Sequence, residues 1–132
     1  MNSLSLLLIE DDPDDIELMN EALKEASVSY SIHTISQGDK VVPYLELCKK
    51  FPDIIILDLN LPKLHGRDVL RLIKTSERFK NIPVAILTTA SSQIEKDYCL
   101  NEGADQFLTK PSTVEGFNQT INIIINTAGV VL

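Results

Sequence analysis

The chain has 132 residues, of which 44% are hydrophobic and 23% are charged, and its net charge is −7 at pH 7. This length suits a single domain that buries a substantial core. The acidic balance argues against nucleic acid as a direct partner, because no basic stripe could neutralise phosphates. The sequence shows no basic signal-peptide region and no apolar stretch long enough to cross a bilayer, so it predicts a cytoplasmic protein without a membrane partner.

Short apolar runs alternate with amphipathic segments along the chain. The candidate strands are residues 4–10, 30–35, 53–58, 82–88 and 105–109. The candidate helices are residues 13–26, 38–50, 66–77, 92–102 and 113–127. This alternation predicts an α/β fold with a parallel sheet and helices on both faces. We expect a flavodoxin-like, doubly wound (βα)5 domain of strand order 2-1-3-4-5 over residues 1–132, without an output domain.

The first predicted helix has a clear start. Asp12 suits the N-cap position, and Pro13 suits the first helical position. Asp14 and Asp15 follow in the first turn, where the positive end of the helix dipole favours acids. The sequence therefore predicts a helix that begins directly after the first strand.

Two predicted strands end in acids. Glu10 and Asp11 follow the apolar residues 6–9, and Asp58 follows the apolar residues 54–57. Strands one and three are neighbours at the switch point of the expected sheet, which places these carboxylates side by side. Such a cluster is costly unless a divalent cation binds or a pKa rises. The sequence therefore predicts a Mg²⁺ site.

Two further strand ends supply a hydroxyl and an ammonium group. The fourth strand runs into Thr88, and the fifth is followed by Lys110. Carboxylates with Mg²⁺, a hydroxyl donor and a lysine suit a phosphoryl group. A carboxylate can itself be the nucleophile, which gives an aspartyl phosphate. A single acid after a strand is usually a turn or cap residue, but the four strand ends together are specific.

The motifs at these strand ends resemble those of the receiver domains of bacterial response regulators. The segments that carry the resemblance are Leu8-Ile9-Glu10-Asp11-Asp12, Leu57-Asp58-Leu59-Asn60-Leu61-Pro62, Leu87-Thr88-Thr89 and Thr109-Lys110-Pro111. They occur in the family's order and spacing over nearly the whole chain. The acidic start of the first helix and Leu61-Pro62-Lys63 look most like the stand-alone receivers paired with phytochrome-type and hybrid histidine kinases.

The resemblance implies a role for each matching residue. Asp58 would be the phosphoacceptor. The metal ligands would be Glu10, Asp11, Asp58 and the backbone carbonyl of Asn60, with Glu10 acting through water.

The resemblance also assigns the residues that respond to the phosphoryl group. Thr88 would bind a phosphoryl oxygen and move on activation, and Phe107 would then swing inward by packing alone, because it has no hydroxyl. Lys110 would pair with the phosphoryl group, and its bond to Pro111 would be cis. Thr89 narrows access and Ala90 cannot orient water, so slow self-dephosphorylation is expected.

The implied function is a signalling switch of a two-component system, with no catalysis beyond its own phosphorylation and dephosphorylation. It would receive its phosphoryl group from a histidine kinase and signal through contacts with a downstream protein target or phosphotransfer protein. A phosphorelay intermediate and a phosphate sink are alternatives. A haloacid-dehalogenase-type, Mg²⁺-dependent aspartyl phosphatase also uses a strand-end Asp. That family needs a second Asp where this chain has Asn60, and its nucleophile follows the first strand.

The C-terminal segment is poor in charge. From residue 111 to residue 132 the only charged side chain is Glu115, and the face of the last helix opposite its apolar residues carries amides such as Asn118 and Asn122. Charge depletion is typical of interface centres. We expect the last helix, with the fourth helix and fifth strand, to form a homodimer or partner surface. An amide-rich helix whose apolar tail, residues 130–132, folds onto its own core is the alternative.

Overall fold

The computed structural model describes residues 3–89 and 92–129. Within them the strands are β1 (Ser3–Ile9), β2 (Ser29–Ile35), β3 (Ile54–Leu57), β4 (Val84–Thr88) and β5 (Gln106–Thr109). The helices are α1 (Pro13–Glu25), α2 (Val41–Leu47), α3 (Gly66–Lys74), α4 (Gln93–Asn101) and α5 (Val114–Thr127), and a 3₁₀ turn, Gly38–Lys40, precedes α2. Each predicted element therefore forms, with shifted boundaries.

The described strands form one parallel sheet in the order β2-β1-β3-β4-β5. The residues of β3 are fully buried, because helices cover both faces of the sheet. One apolar cluster joins the sheet to α2, α3 and α4, and the other joins it to α1 and α5. The predicted flavodoxin-like, doubly wound fold is confirmed. No helix within the described residues combines the length and the apolar character that crossing a membrane requires.

The start of α1 follows the prediction. The Asp12 carboxylate accepts a hydrogen bond of 2.9 Å from the backbone N–H of Asp14, and Pro13 occupies the first turn. The cap satisfies an N–H group that has no partner inside the helix. Helix α1 thus begins close to the carboxyl end of β1.

Helix α2 is shorter than the predicted segment 38–50. It ends at Leu47, and the backbone of Cys48 is already extended. Phe51 precedes Pro52, which disfavours the helical conformation at that position. The Phe51 ring packs edge-on against Phe79 at 5.5 Å between ring centroids. The chain therefore leaves the helix before Phe51, which packs, partly buried, against the core.

The last element is a helix, as predicted, and its apolar residues enter the core. Phe117, Ile121, Ile124 and Ile125 are buried. The flank with Asn118 does not form a free surface, because the Asn118 amide donates to the Glu25 carboxylate of α1 at 3.2 Å. Asn118 and Asn122 both line a shallow cleft against α1. The two amides thus lie on the α1 side of the helix, and the expectation that they belong to a partner surface stays a prediction. The predicted tail contact of residues 130–132 lies outside the described residues.

Candidate functional site

The carboxyl ends of β1 and β3 bring the predicted acids together. Ile9 pairs with Leu57 in the sheet register, and the N–H of Asp58 donates to the carbonyl of Ile9 at 3.0 Å. Residues that follow these two strands are consequently neighbours. Ligand oxygens of Glu10, Asp11 and Asp58 lie within 4.8 Å of one another. Glu10 and Asp58 are only 3% and 6% exposed, whereas Asp11 is open to solvent.

Lys110 reaches this cluster from the end of β5. Its backbone N–H donates to the carbonyl of Thr88 at 2.9 Å, which fixes the start of the side chain. Its ammonium nitrogen, Nζ, lies 2.8 Å from Glu10 Oε1, 2.7 Å from Asp15 Oδ2 and 3.1 Å from Asp58 Oδ2. Burial alone would lower the pKa of Lys110, but the hydrogen bonds to Asp15 and Glu10 raise it above its ordinary value. Lys110 is therefore charged at neutral pH.

Glu10 is the carboxylate whose charge the fold tolerates least. Burial raises the pKa of Glu10 to about 7, and the neighbouring Asp58 charge adds to the effect against the opposing hydrogen bond from Lys110. The other oxygen, Oε2, accepts from the backbone N–H groups of Asp11 at 3.1 Å and Asp12 at 3.2 Å. These contacts hold the carboxylate in place although its charge is costly.

The acidic cluster has the chemistry of a divalent-metal site. Carboxylate oxygens are the ligands that Mg²⁺ prefers. A bound cation would add to the positive charge of Lys110 and stabilise the buried Glu10 and Asp58 carboxylates. Asn60 lies in the loop after β3, where its backbone N–H approaches Asp58 Oδ1 at 3.4 Å. Its carbonyl as a metal ligand stays a prediction. Glu10, Asp11 and Asp58 therefore fit the predicted cation.

Thr88 and Phe107 lie on adjacent strands. Thr88 is fully buried at the end of β4 and pairs with Thr109 of β5, next to Lys110. Phe107 pairs with Ile86 two positions earlier and packs partly buried against the cluster of α2, α3 and α4. The structure thus brings the predicted hydroxyl and the predicted aromatic residue to neighbouring positions, and their roles stay predictions.

The expectation of a cis bond between Lys110 and Pro111 is wrong. The described residues contain no cis peptide bond, so this bond is trans. The trans form of an X–Pro bond is intrinsically favoured by about 0.5–1 kcal/mol. Lys110 reaches Glu10, Asp15 and Asp58 with the trans bond, so these contacts do not require the cis form.

Sequence reasoning missed two residues of the site. Asp15 was expected only to favour the helix dipole, yet it makes the shortest of the Lys110 contacts. Its position in the first turn of a helix that starts at the acidic strand end is the signal that could have found it. Gly66 begins α3 so close to β3 that an added Cβ would lie 2.3 Å from the backbone oxygen of Asp58. A glycine at a helix start after a strand-end acid is the corresponding signal.

Known proteins are similar to this chain in sequence and in fold. Residues 6–122 match the sequence pattern of the response regulator receiver domain family. The transcriptional regulatory protein BaeR of Escherichia coli is 37% identical over 110 residues, which are 83% of this chain and 43% of BaeR. Response regulator Rcp1 of Synechocystis sp. is 36% identical over 93 residues, which are 67% of this chain and 63% of Rcp1. The chain thus spans less than two thirds of each of these relatives.

Solved structures agree over almost the full chain. The phosphorylated cyanobacterial phytochrome response regulator RcpA superimposes with a TM-score of 0.87 and 31% identity, over 95% of this chain and 93% of RcpA. The Mn²⁺-bound form of Rcp1 superimposes with a TM-score of 0.85 and 29% identity, over 98% of each chain. The resemblance to phytochrome-associated regulators is confirmed.

The fold and the site define a doubly wound α/β domain with a lysine-paired acidic cluster at its switch point. The chain belongs to the response regulator receiver domain family, whose members are the phosphoacceptor switches of two-component systems.

Proposed function

We propose that Asp58 accepts a phosphoryl group from a phosphohistidine of a kinase. The observation that carries this proposal is the ammonium group of Lys110, held 3.1 Å from a carboxylate that the sheet buries at its switch point. An oxygen of Asp58 attacks phosphorus, an O–P bond forms, and the P–N bond of the phosphohistidine breaks. The electron pair of that bond returns to the imidazole ring of the kinase.

The surrounding residues fit the developing charge. Lys110 is positioned to neutralise a phosphoryl oxygen, and the Thr88 hydroxyl is the donor for a second one. Glu10, Asp11 and Asp58, with the carbonyl of Asn60, would hold Mg²⁺. When bound, this ion neutralises the negative charge of the carboxylates and of the phosphoryl group. The Mn²⁺-bound Rcp1 structure and a Pseudomonas aeruginosa receiver domain with magnesium in its active-site cleft support a divalent cation at this site.

Phosphorylation would be read out through β4 and β5. Thr88 lies beside the end of β5, and Phe107 occupies the adjoining stretch of that strand. A shift of Thr88 toward the phosphoryl group would open space for the Phe107 ring, which is partly buried. Because Phe107 has no hydroxyl, the two states would differ by packing alone.

The readout surface we propose includes the flank of α5 away from α1. Ile123 lies there, in line with Thr127 one turn on, and is 40% exposed. Ile94 of α4 is 83% exposed. Exposed apolar residues on two helices, of which α5 is poor in charge, favour a protein contact, and we propose self-association through a face that includes Ile94 and Ile123.

Light scattering with and without beryllofluoride and Mg²⁺ tests the proposed self-association. We expect a larger mass with beryllofluoride that Ile123→Lys removes. Asn122→Lys is the matched control, because Asn122 lies on the α1 side of the same helix. A mass that stays monomeric under all conditions would contradict the interface.

Phosphorylation by acetyl phosphate and Mg²⁺ tests the site. Intact-protein mass spectrometry should show one added phosphoryl group in the wild type and in Asp14→Asn, and none in Asp58→Asn. Asp14 is a suitable control because it is an exposed acid at the same edge of the sheet. Equal labelling of Asp58→Asn would refute the assignment.

A further inference from the structure

The Lys110 side chain has a partner that the phosphoryl chemistry leaves unexplained. Asp15 approaches its ammonium nitrogen at 2.7 Å from the first turn of α1, although 95 residues separate the two in the sequence. The Lys110 side chain is only 9% exposed. Asp15 does not belong to the metal-binding cluster found among the described residues, which consists of Glu10, Asp11 and Asp58.

Lys110 and a cation would share two carboxylates, those of Glu10 and Asp58. An ammonium group has three N–H donors, and here they face Glu10 Oε1, Asp15 Oδ2 and Asp58 Oδ2. Glu10 and Asp58 are also the buried members of the metal cluster. When Glu10 and Asp58 coordinate a cation, the buried Lys110 ammonium group loses hydrogen-bond acceptors. A buried charge without a partner is strongly unfavourable.

We infer that Asp15 is a positioning residue. It keeps the Lys110 ammonium group paired with its own carboxylate and away from Glu10 and Asp58, so that these two carboxylates can bind a divalent cation. Asp15 acts through Lys110, because the Asp15 carboxylate accepts from the ammonium group and is not needed by the metal cluster. Without Asp15, the ammonium group would have to remain on Glu10 and Asp58 and would oppose the cation there. This inference rests on the proposed phosphoacceptor site and adds a residue to it.

Isothermal titration with MgCl₂ at about 0.15 M salt tests this role. Asp15→Asn should weaken Mg²⁺ binding by about threefold or more, a size ordinary for coupled neighbours. The matched control is Asp14→Asn, which removes the same charge from the same helical turn. Its effect should stay below about twofold, because salt screens exposed charges. Labelling by acetyl phosphate should be slow in Asp15→Asn at low Mg²⁺ and close to wild type at saturating Mg²⁺.

A double-mutant cycle separates positioning from simple charge loss. In a Lys110→Met background, Asp15→Asn should weaken Mg²⁺ binding no more than Asp14→Asn does. Equal losses for Asp15→Asn and Asp14→Asn in the wild-type background would overturn the inference, and so would an undiminished Asp15→Asn effect without Lys110. If Lys110→Met does not fold, the comparison of Asp15→Asn with Asp14→Asn in the wild-type background decides the question by itself.

The Mg²⁺ titration needs no phosphoryl transfer, so its outcome is independent of the proposed function. If Asp15→Asn weakens Mg²⁺ binding as expected but the wild type never becomes labelled, only the phosphoacceptor role of Asp58 fails. If the wild type is labelled at Asp58 but Asp15→Asn binds Mg²⁺ like Asp14→Asn, only the role of Asp15 fails.

Discussion

The ammonium group of Lys110 donates to the Asp58 carboxylate across 3.1 Å, and 52 residues separate the two in the sequence. The contact joins the loop after β5 to the end of β3, with β4 between them in the sheet. It places a permanent positive charge beside the proposed phosphoacceptor before any phosphoryl group arrives. The same charge offsets the repulsion among the buried acids.

Replacing Lys110 should destabilise the protein when no metal is present. Lys110→Met leaves Glu10, Asp15 and Asp58 without their shared cation, and breaking a buried ion pair costs about 3 kcal/mol. Urea denaturation in EDTA should show this loss. Saturating Mg²⁺ should recover part of it, because a cation would then neutralise the same carboxylates. Equal stability of the variant and the wild type in EDTA would contradict the view that Lys110 offsets this charge.

Glu10 should make the metal-free protein less stable as the pH rises. The folded state keeps a proton on Glu10 up to about pH 7, whereas the ordinary pKa of Glu in an unfolded chain is 4.5. Between these values the folded state binds more protons at Glu10, so the contribution of Glu10 to stability falls with increasing pH and is lowest above pH 7. At about 1.4 kcal/mol per pKa unit, the loss from Glu10 is at most about 3.5 kcal/mol.

Urea denaturation of wild type and Glu10→Gln at several pH values in EDTA measures this effect. Gln cannot ionise, so the free energy of unfolding of the variant should increase relative to that of the wild type as the pH rises from about 4.5 to about 7. Parallel pH profiles of the two proteins would show that Glu10 has no such effect.

Gly66→Ala should damage both the fold and the site. The new Cβ would lie 2.3 Å from the backbone oxygen of Asp58 and 2.6 Å from the Cα of Leu59, and backbone atoms cannot rotate away. We expect a loss of about 2 kcal/mol or more in the free energy of unfolding and slower phosphorylation. Asp68→Ala places an alanine at an exposed position of the same helix and should have little effect. A fully stable and active Gly66→Ala would show that α3 can move away from Asp58 at no cost.

Thr89→Ala should shorten the lifetime of the phosphorylated protein. Thr89 is exposed directly after Thr88, where its side chain is expected to restrict the approach of water to the phosphoryl group. Ala90, the other residue of this expectation, lies outside the described residues. The rate of phosphate release after removal of acetyl phosphate measures the effect. An unchanged rate in Thr89→Ala would remove the steric explanation.

The strands and the acids at their ends could be predicted because they follow from short-range patterns, and the sheet order could be predicted from the usual topology of a doubly wound fold. The apolar residues 54–57 indicate a strand buried on both faces, and the position of Asp58 after them places it at the switch point. The position of Asp15 near the acidic strand end could be predicted from the sequence, but its contact with Lys110 could not, because that contact depends on how far α1 is rotated against the end of β5. The pairing of Asn118 with Glu25 likewise depends on the packing of α5 against α1.

The central claim is that Asp58 carries the phosphoryl group, and chemical mapping of that group tests it most directly. The protein would be phosphorylated with acetyl phosphate and Mg²⁺, reduced with sodium borohydride, which converts an aspartyl phosphate into homoserine, and digested for peptide mass spectrometry. We predict homoserine at position 58. Homoserine at Asp11, Asp12, Asp14 or Asp15 instead, with position 58 unmodified, would contradict the claim.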